Sequence, residues 1–173
     1  MELFLWIFSK LGYNMTSIMK VDTIQKADGS SGVHIAGSVV QYAQTETATA
    51  TTISAGANAN ILTINFTPKF SNSLLHISSS LFNVRKTTGA GTSTWMNARI
   101  YLDGVQQGNI NGTFGYPETF NDHRYTFTIE GKLAAWSGTK AIALNCYVGS
   151  TGSTWVVSYQ GATTSMSVME IAQ

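Results

Sequence analysis

Ile61-Leu62-Thr63-Ile64-Asn65-Phe66-Thr67-Pro68 places Leu62, Ile64 and Phe66 at every second position. A spacing of two puts those side chains on one face of a strand and leaves Thr63 and Asn65 on the other. Pro68 has no N–H to give to a ladder and ends the strand. The alternation returns over 74–85, where Leu75, Ile77, Leu81 and Val84 are the expected buried side chains. Downstream, Tyr125, Phe127 and Ile129 form one such face, and Ile142, Leu144, Cys146 and Val148 form another. Trp155, Val157 and Tyr159 are expected to face one way in a following strand. The last strand spans 165–171, with Met166 and Val168 opposite Met169 and Ile171.

Upstream, 37–44 reads as a strand around Val39, Val40 and Tyr42. Residues 45–60, rich in Thr, Ala, Gly and Asn, read as a long loop with at most one edge strand. Residues 95–103 and 105–110 read as strands joined at Asp103-Gly104, a two-residue hairpin signal. The total is eight to ten strands spaced by about 8–14 residues, with no sustained helical period and no fixed repeat. This predicts an all-β fold, an antiparallel β-sandwich of jelly-roll type, over 36–173.

Composition agrees. Of 173 residues, 43% are hydrophobic and only 11% charged, against about 25% charged in ordinary globular chains. About 40 serines and threonines, with 16 glycines and 2 prolines, take over the work of solvation. Ten Lys and Arg against nine Asp and Glu leave a net charge of +1, so no general electrostatic footprint for nucleic acid exists. A single cysteine excludes an internal disulfide framework and a multi-cysteine metal site.

Residues 1–35 read differently. Leu3-Phe4-Leu5-Trp6-Ile7-Phe8 is an apolar hexad, too short for a membrane span and without the basic start of a signal peptide. It suits an arm packed on a partner, a buried first element, or a start upstream of the natural one, since Met15 and Met19 also sit where a chain could begin. Val21 and Ile24 follow in a short polar segment that makes no core stripe, and Asp28-Gly29-Ser30-Ser31-Gly32 is a hinge. The expected division is a docking arm and hinge over 1–35, carried by Leu3, Phe4, Leu5, Trp6, Ile7, Phe8, Val21 and Ile24, and a sandwich after it. No membrane insertion is expected.

No catalytic constellation emerges. His34, His76 and His123 do not pair at ligand spacing, and His76 points away from the row of Leu75 and Ile77. His123 stands between Asp122 and Arg124, adjacent positions that face opposite ways in a strand. Cys146 shares an apolar face with Leu144 and Val148 and reads as a small hydrophobe. Glu118 and Asp122 sit in a solvated loop. The glycine-rich stretches 87–94 and 149–153 lack the Lys-Ser/Thr and helix of a phosphate loop. The expectation is a protein that is not an enzyme and carries no metal and no cofactor. Trp95, Tyr116, Trp136 and Trp155 lie near loops or strand ends, beside Asn, Asp and Gln. They could stack on sugar rings, or fill a core or a subunit contact.

Three stretches carry a family resemblance. Ile18-Met19-Lys20-Val21-Asp22-Thr23-Ile24-Gln25 with Asp28-Gly29-Ser30 resembles the N-terminal arm of tail-fibre-like virion proteins of marine and freshwater bacteriophages, the cyanophage type included. Residues 61–75, Ile61-Leu62-Thr63-Ile64-Asn65-Phe66-Thr67-Pro68-Lys69-Phe70-Ser71-Asn72-Ser73-Leu74-Leu75, look like a strand–turn–strand element of their C-terminal domains. The closing Met166-Ser167-Val168-Met169-Glu170-Ile171-Ala172 is similar to their terminal strand.

Together these touch about a fifth of the chain and contain no catalytic residue. The resemblance implies a homotrimeric jelly-roll of the tumour-necrosis-factor or complement type on the virion exterior, made in the host cytoplasm. Its implied partners are further copies of itself, a tail or major capsid protein, and host surface glycan. Three roles follow: a short tail fibre whose loops, such as 109–123, touch glycan; a capsid decoration or cement protein; or, outside any virion, a carbohydrate-binding module.

Overall fold

The structure, a computed structural model, describes residues 36–88, 94–116, 124–149 and 154–173. The arm expected over 1–35 lies outside the described residues, as do His34, Glu118, Asp122 and His123. The strands are β1 (Val39–Thr47), β2 (Thr51–Ser54), β3 (Asn58–Phe66), β4 (Leu74–Thr88) and β5 (Thr94–Leu102), then β6 (Val105–Tyr116), β7 (Arg124–Ala134), β8 (Lys140–Val148), β9 (Thr154–Val157) and β10 (Thr164–Ile171).

All pairings are antiparallel. One sheet runs β3-β8-β5-β6, and the other β1-β10-β4-β9-β2 with β7 on β4. In the second sheet, β10 takes Leu74 to Ser80 of β4 while β9 takes Arg85 to Thr88. β1 lies along β10 and β2 along β9. Thus β1 and β2 are one strand position interrupted once, and so are β9 and β10. Among the described residues ten segments fill eight positions, and successive positions alternate between the two sheets except at the β5–β6 hairpin, which stays in one sheet. That is jelly-roll winding, and the expected all-β antiparallel sandwich is the fold observed.

The alternation works as expected at the core. Leu62, Ile64 and Phe66 of β3 are buried against Leu75, Ile77, Leu81 and Val84 of β4, with Ile142, Leu144, Cys146 and Val148 of β8 between the sheets. Burial pushes the Cys146 thiol up to about 12, so it is a neutral hydrophobe at ordinary pH. Asp103 and Gly104 both take positive φ, 47° and 79°, the geometry that the β5–β6 hairpin turn demands. His76 faces outward, 3.9 Å from Glu130 across the strands.

Three boundaries differ from the sequence reading. Residues 45–60 hold the end of β1, all of β2 and the start of β3, because threonine and asparagine serve an edge strand whose outer side meets water. β6 runs on to Tyr116, well past Ile110. Tyr159 does not continue the row of Trp155 and Val157: Ser158 turns left-handed at φ 58°, and Tyr159–Gly161 form a 3-10 turn. This turn fits a kink in β4, where the register shifts between Leu81 and Val84. Asn83, itself at φ 50°, donates its amide to the Tyr159 carbonyl at 2.6 Å.

At one end of the sandwich the core row of β10 finishes on a carboxylate. Glu170 follows Met166 and Val168 on the inward face and is fully buried. Its oxygens accept from the Lys69 and Phe70 N–H groups, both at 2.9 Å, and from the Ser73 hydroxyl at 2.6 Å. One side chain thereby ties the loop 69–73 beneath the two sheets.

Candidate functional site

In the β3-β8-β5-β6 sheet, β8 buries Ile142, Leu144, Cys146 and Val148. β3 buries its even-numbered side chains only from Leu62 on, after a register shift between Asn60 and Leu62 that leaves Asn58 and Asn60 outward. β5 buries Met96, Ala98 and Ile100. The outward face is therefore fixed by register. Asn58, Tyr147, Asn97 and Thr113 form one row across β3, β8, β5 and β6. Asn60, Asn145, Arg99 and Asn111 form the next, and Thr63, Ala143, Tyr101 and Gln106 the third. Across those rows Arg99 is the one charged side chain. The outer face of the other sheet instead carries Glu46, His76, Glu130 and Lys132.

The amides are organised. Asn145, only 5% exposed, donates its Nδ2 to Asn60 Oδ1 at 2.8 Å and to Asn58 Oδ1 at 3.4 Å. Its own Oδ1 is buried and accepts nothing. Asn97 donates to the Thr113 hydroxyl at 2.5 Å and accepts from Arg99 Nε. The Arg99 guanidinium lies 5.0 Å from the centre of the Tyr147 ring and reaches Gln106 Oε1 at 3.3 Å. Its charge is thus spent on an aromatic face and two amides.

Side-chain size shapes a groove on this face. Ala141 and Ala143 on the central strand β8 are low, while Asn60 and Thr63 on β3 and Tyr101 on β5 stand to either side. The resulting depression encloses about 340 Å³ and is lined by Asn58, Asn60, Thr63, Tyr101, Gly104, Ala141, Ala143 and Asn145. That volume is at the lower end for small-molecule sites.

The aromatics singled out in the sequence are dispersed. Trp95 is half-buried beside this face, its ring 5.5 Å from that of Tyr147. Trp136 packs partly against the core, with the Lys140 ammonium 5.9 Å over its ring. Trp155 is completely buried between the sheets and offers no face to a ligand. Tyr116 ends β6 opposite Thr94. Of the three with placed rings, only Trp95 borders the groove-bearing face. Asn58, Asn60, Asn145, Tyr101 and Tyr147 were not singled out from the sequence. Asn145, Tyr101 and Tyr147 alternate with recognisable core rows, while Asn58 and Asn60 face outward only through the register shift before Leu62, and the set becomes a site only once neighbouring strands are in register.

Gly149 has no room for a side chain, because the Trp95 ring lies where its Cβ would be. The Gly149 N–H also donates to the Trp95 carbonyl at 3.1 Å. Gly149→Ala is expected to expel the Trp95 ring at a cost of about 1–3 kcal/mol. A red-shifted, weakened tryptophan emission with a lowered Tm checks it; an unchanged spectrum refutes the placement.

Among the described residues, no group of three His, Cys, Asp or Glu could hold a metal ion. No protein-family model and no curated protein matches the chain. Among solved structures it is similar to the sugar-binding EclA C-terminal domain, at 13% identity and a TM-score of 0.38, covering 83% of this chain and 89% of that one. It is also similar to the VP2 subviral particle protein of infectious bursal disease virus, at 15% identity and a TM-score of 0.41. That match covers 79% of this chain and 39% of the other. At such identities the likeness concerns the sandwich alone.

Proposed function

We propose that this protein is a non-enzymatic structural component of a bacteriophage virion. It forms an exterior homotrimer anchored by its N-terminal arm, and acts as a short tail fibre that attaches to host surface glycan. The observation that carries the binding half of this reading is the outer face of the β3-β8-β5-β6 sheet. Its three central rows present amides, hydroxyls and tyrosines with a single, internally engaged charge. Such a surface matches a ligand that is itself rich in hydroxyls and uncharged. The placement on a virion rests on the sequence resemblance of the arm and of the two C-terminal-domain stretches.

Trimerisation multiplies weak sites. Three copies on one particle turn a shallow, low-affinity groove into a strong attachment, because each later contact forms at high effective concentration. The same trimer and arm would also serve a cement protein capping the shell. The arm runs into β1 with no shaft of repeats between them, which suits that second reading.

Labelled full-length protein is expected to coat host cells and to block adsorption of the particle. Protein that neither binds nor competes would refute attachment. Deleting residues 1–35 is expected to leave a trimer by light scattering while abolishing incorporation into particles. Loss of the trimer would instead assign assembly to the arm.

A further inference from the structure

We propose that the groove over Ala141 and Ala143 is a binding site for one neutral pyranose ring, held by Asn58, Asn60, Asn145 and Tyr101. This deepens the attachment reading and rests on it.

The first argument is an unmet acceptor. Asn145 is a carboxamide on β8 whose amide orientation is set by its nitrogen. Its nitrogen serves Asn58 and Asn60, so its Oδ1 is left buried with no donor. A buried acceptor without a donor costs about 1–3 kcal/mol. Asn145 lines the groove, so a turn of its carboxamide toward a bound ligand gives Oδ1 a hydroxyl donor and recovers that cost.

The second argument is the complementary set around it. Asn58 and Asn60 spend their oxygens on Asn145, which leaves their NH2 groups, at exposed positions of β3, as donors. Thr63 adds a hydroxyl that both donates and accepts, and Tyr101 adds an aromatic flank. A pyranose offers the matching pattern: hydroxyls that donate and accept around its rim, and a C–H face that packs on a tyrosine.

The third argument concerns charge. No Asp, Glu, Lys, Arg or His lines the groove. The nearest cation in register, Arg99, is turned onto Tyr147, Asn97 and Gln106. An acidic sugar would surrender hydration of its carboxylate and find no counter-charge. The site therefore selects neutral hexoses or N-acetylhexosamines against uronic and sialic acids. A site built on buried hydrogen-bonding groups also rejects analogues that lack the matching hydroxyl.

The test is saturation-transfer NMR on the full-length protein, with methyl glycosides of glucose, galactose, mannose and N-acetylglucosamine set against glucuronic acid and N-acetylneuraminic acid. At least one neutral glycoside is expected to bind, with neither acid competing. Asn145→Leu should weaken that binding more than tenfold, while Ser167→Ala on the opposite sheet leaves it unchanged. Tyr101→Ala, at a less buried position, serves as the second variant should Asn145→Leu lower the Tm; it too should weaken binding several-fold. Preference for the acids, or neutral binding indifferent to both variants, overturns the inference. So does an absence of any glycoside signal. If wild-type protein still coats host cells in those cases, the attachment reading stands and only this groove is eliminated. Failure to coat cells removes the attachment reading itself.

Discussion

Trp155→Ala is expected to destabilise the sandwich by about 3–5 kcal/mol, the range for deleting a fully buried large aromatic. For a chain of this size that is a fall in Tm on the order of 10 °C. The size of the effect follows from position. Trp155 belongs to a four-residue strand, directly between Ile53 of β2 and Lys86 of β4 in the register. All three are buried, and the Tyr125 ring lies 6.4 Å from the indole. Val157 is the other inward side chain of β9 and is fully buried, but it is too small to fill the space an absent indole would leave. Trp155→Phe is expected to cost far less. It keeps a ring in the space and removes an indole N–H that is buried without a partner. Chemical denaturation of the three proteins checks both. A loss below about 1 kcal/mol for the alanine variant would show that the indole is not the core residue described here.

Glu170→Gln carries the second large effect, about 2–4 kcal/mol, through donors left facing a donor. Glu170 accepts three hydrogen bonds, one from a hydroxyl and two from backbone N–H groups. Glutamine keeps the shape but turns one oxygen into an NH2 group, which then confronts an N–H it cannot bond. The same contacts set the pH dependence. Burial works to raise the Glu170 pKa. The Lys69 N–H, the Ser73 hydroxyl, the Phe70 N–H and the Lys69 charge outweigh it and hold the carboxyl below the usual carboxylate range. A folded-state pKa below the unfolded one means stability is present above the unfolded value. It is lost as pH falls through the depressed folded value. Wild-type Tm should therefore decline on acidification below about pH 4, and the glutamine variant should begin low and lack that component. Parallel declines in the two proteins would contradict the assignment.

This carboxylate also links the chain's own motifs. The stretches 61–75 and 166–172 were each read as separate strand elements in the sequence. In the fold they meet, since Glu170 in the second holds Lys69, Phe70 and Ser73 in the first. A glutamate inside a strand gives no sign in sequence that it faces inward. Only its alternation with Met166 and Val168 hints at it, and the alternation alone argues for an apolar residue there.

The inward rows of β3, β4, β8 and β10 were legible because a spacing of two is a direct statement about faces. Asp103-Gly104 was legible because few residue pairs satisfy a turn with two positive φ angles. The end of β9 before Tyr159 was not, because Ser158 and Gln160 adopt left-handed backbone that their residue types do not announce. The groove was hidden for a different reason. Its residues come from β3, β5 and β8, and register between strands is set by the packed whole rather than by any one segment. Of the aromatics whose positions suit either sugar stacking or a core, Trp155 serves the core, and asparagines and tyrosines form the polar face.

The measurement that reaches the central claim most directly is copy number, by quantitative mass spectrometry of purified virions against the major shell protein. A short tail fibre predicts a few tens of copies per particle or fewer. Hundreds of copies, near one per few shell subunits, would contradict it in favour of decoration, and complete absence from particles would contradict the virion reading altogether.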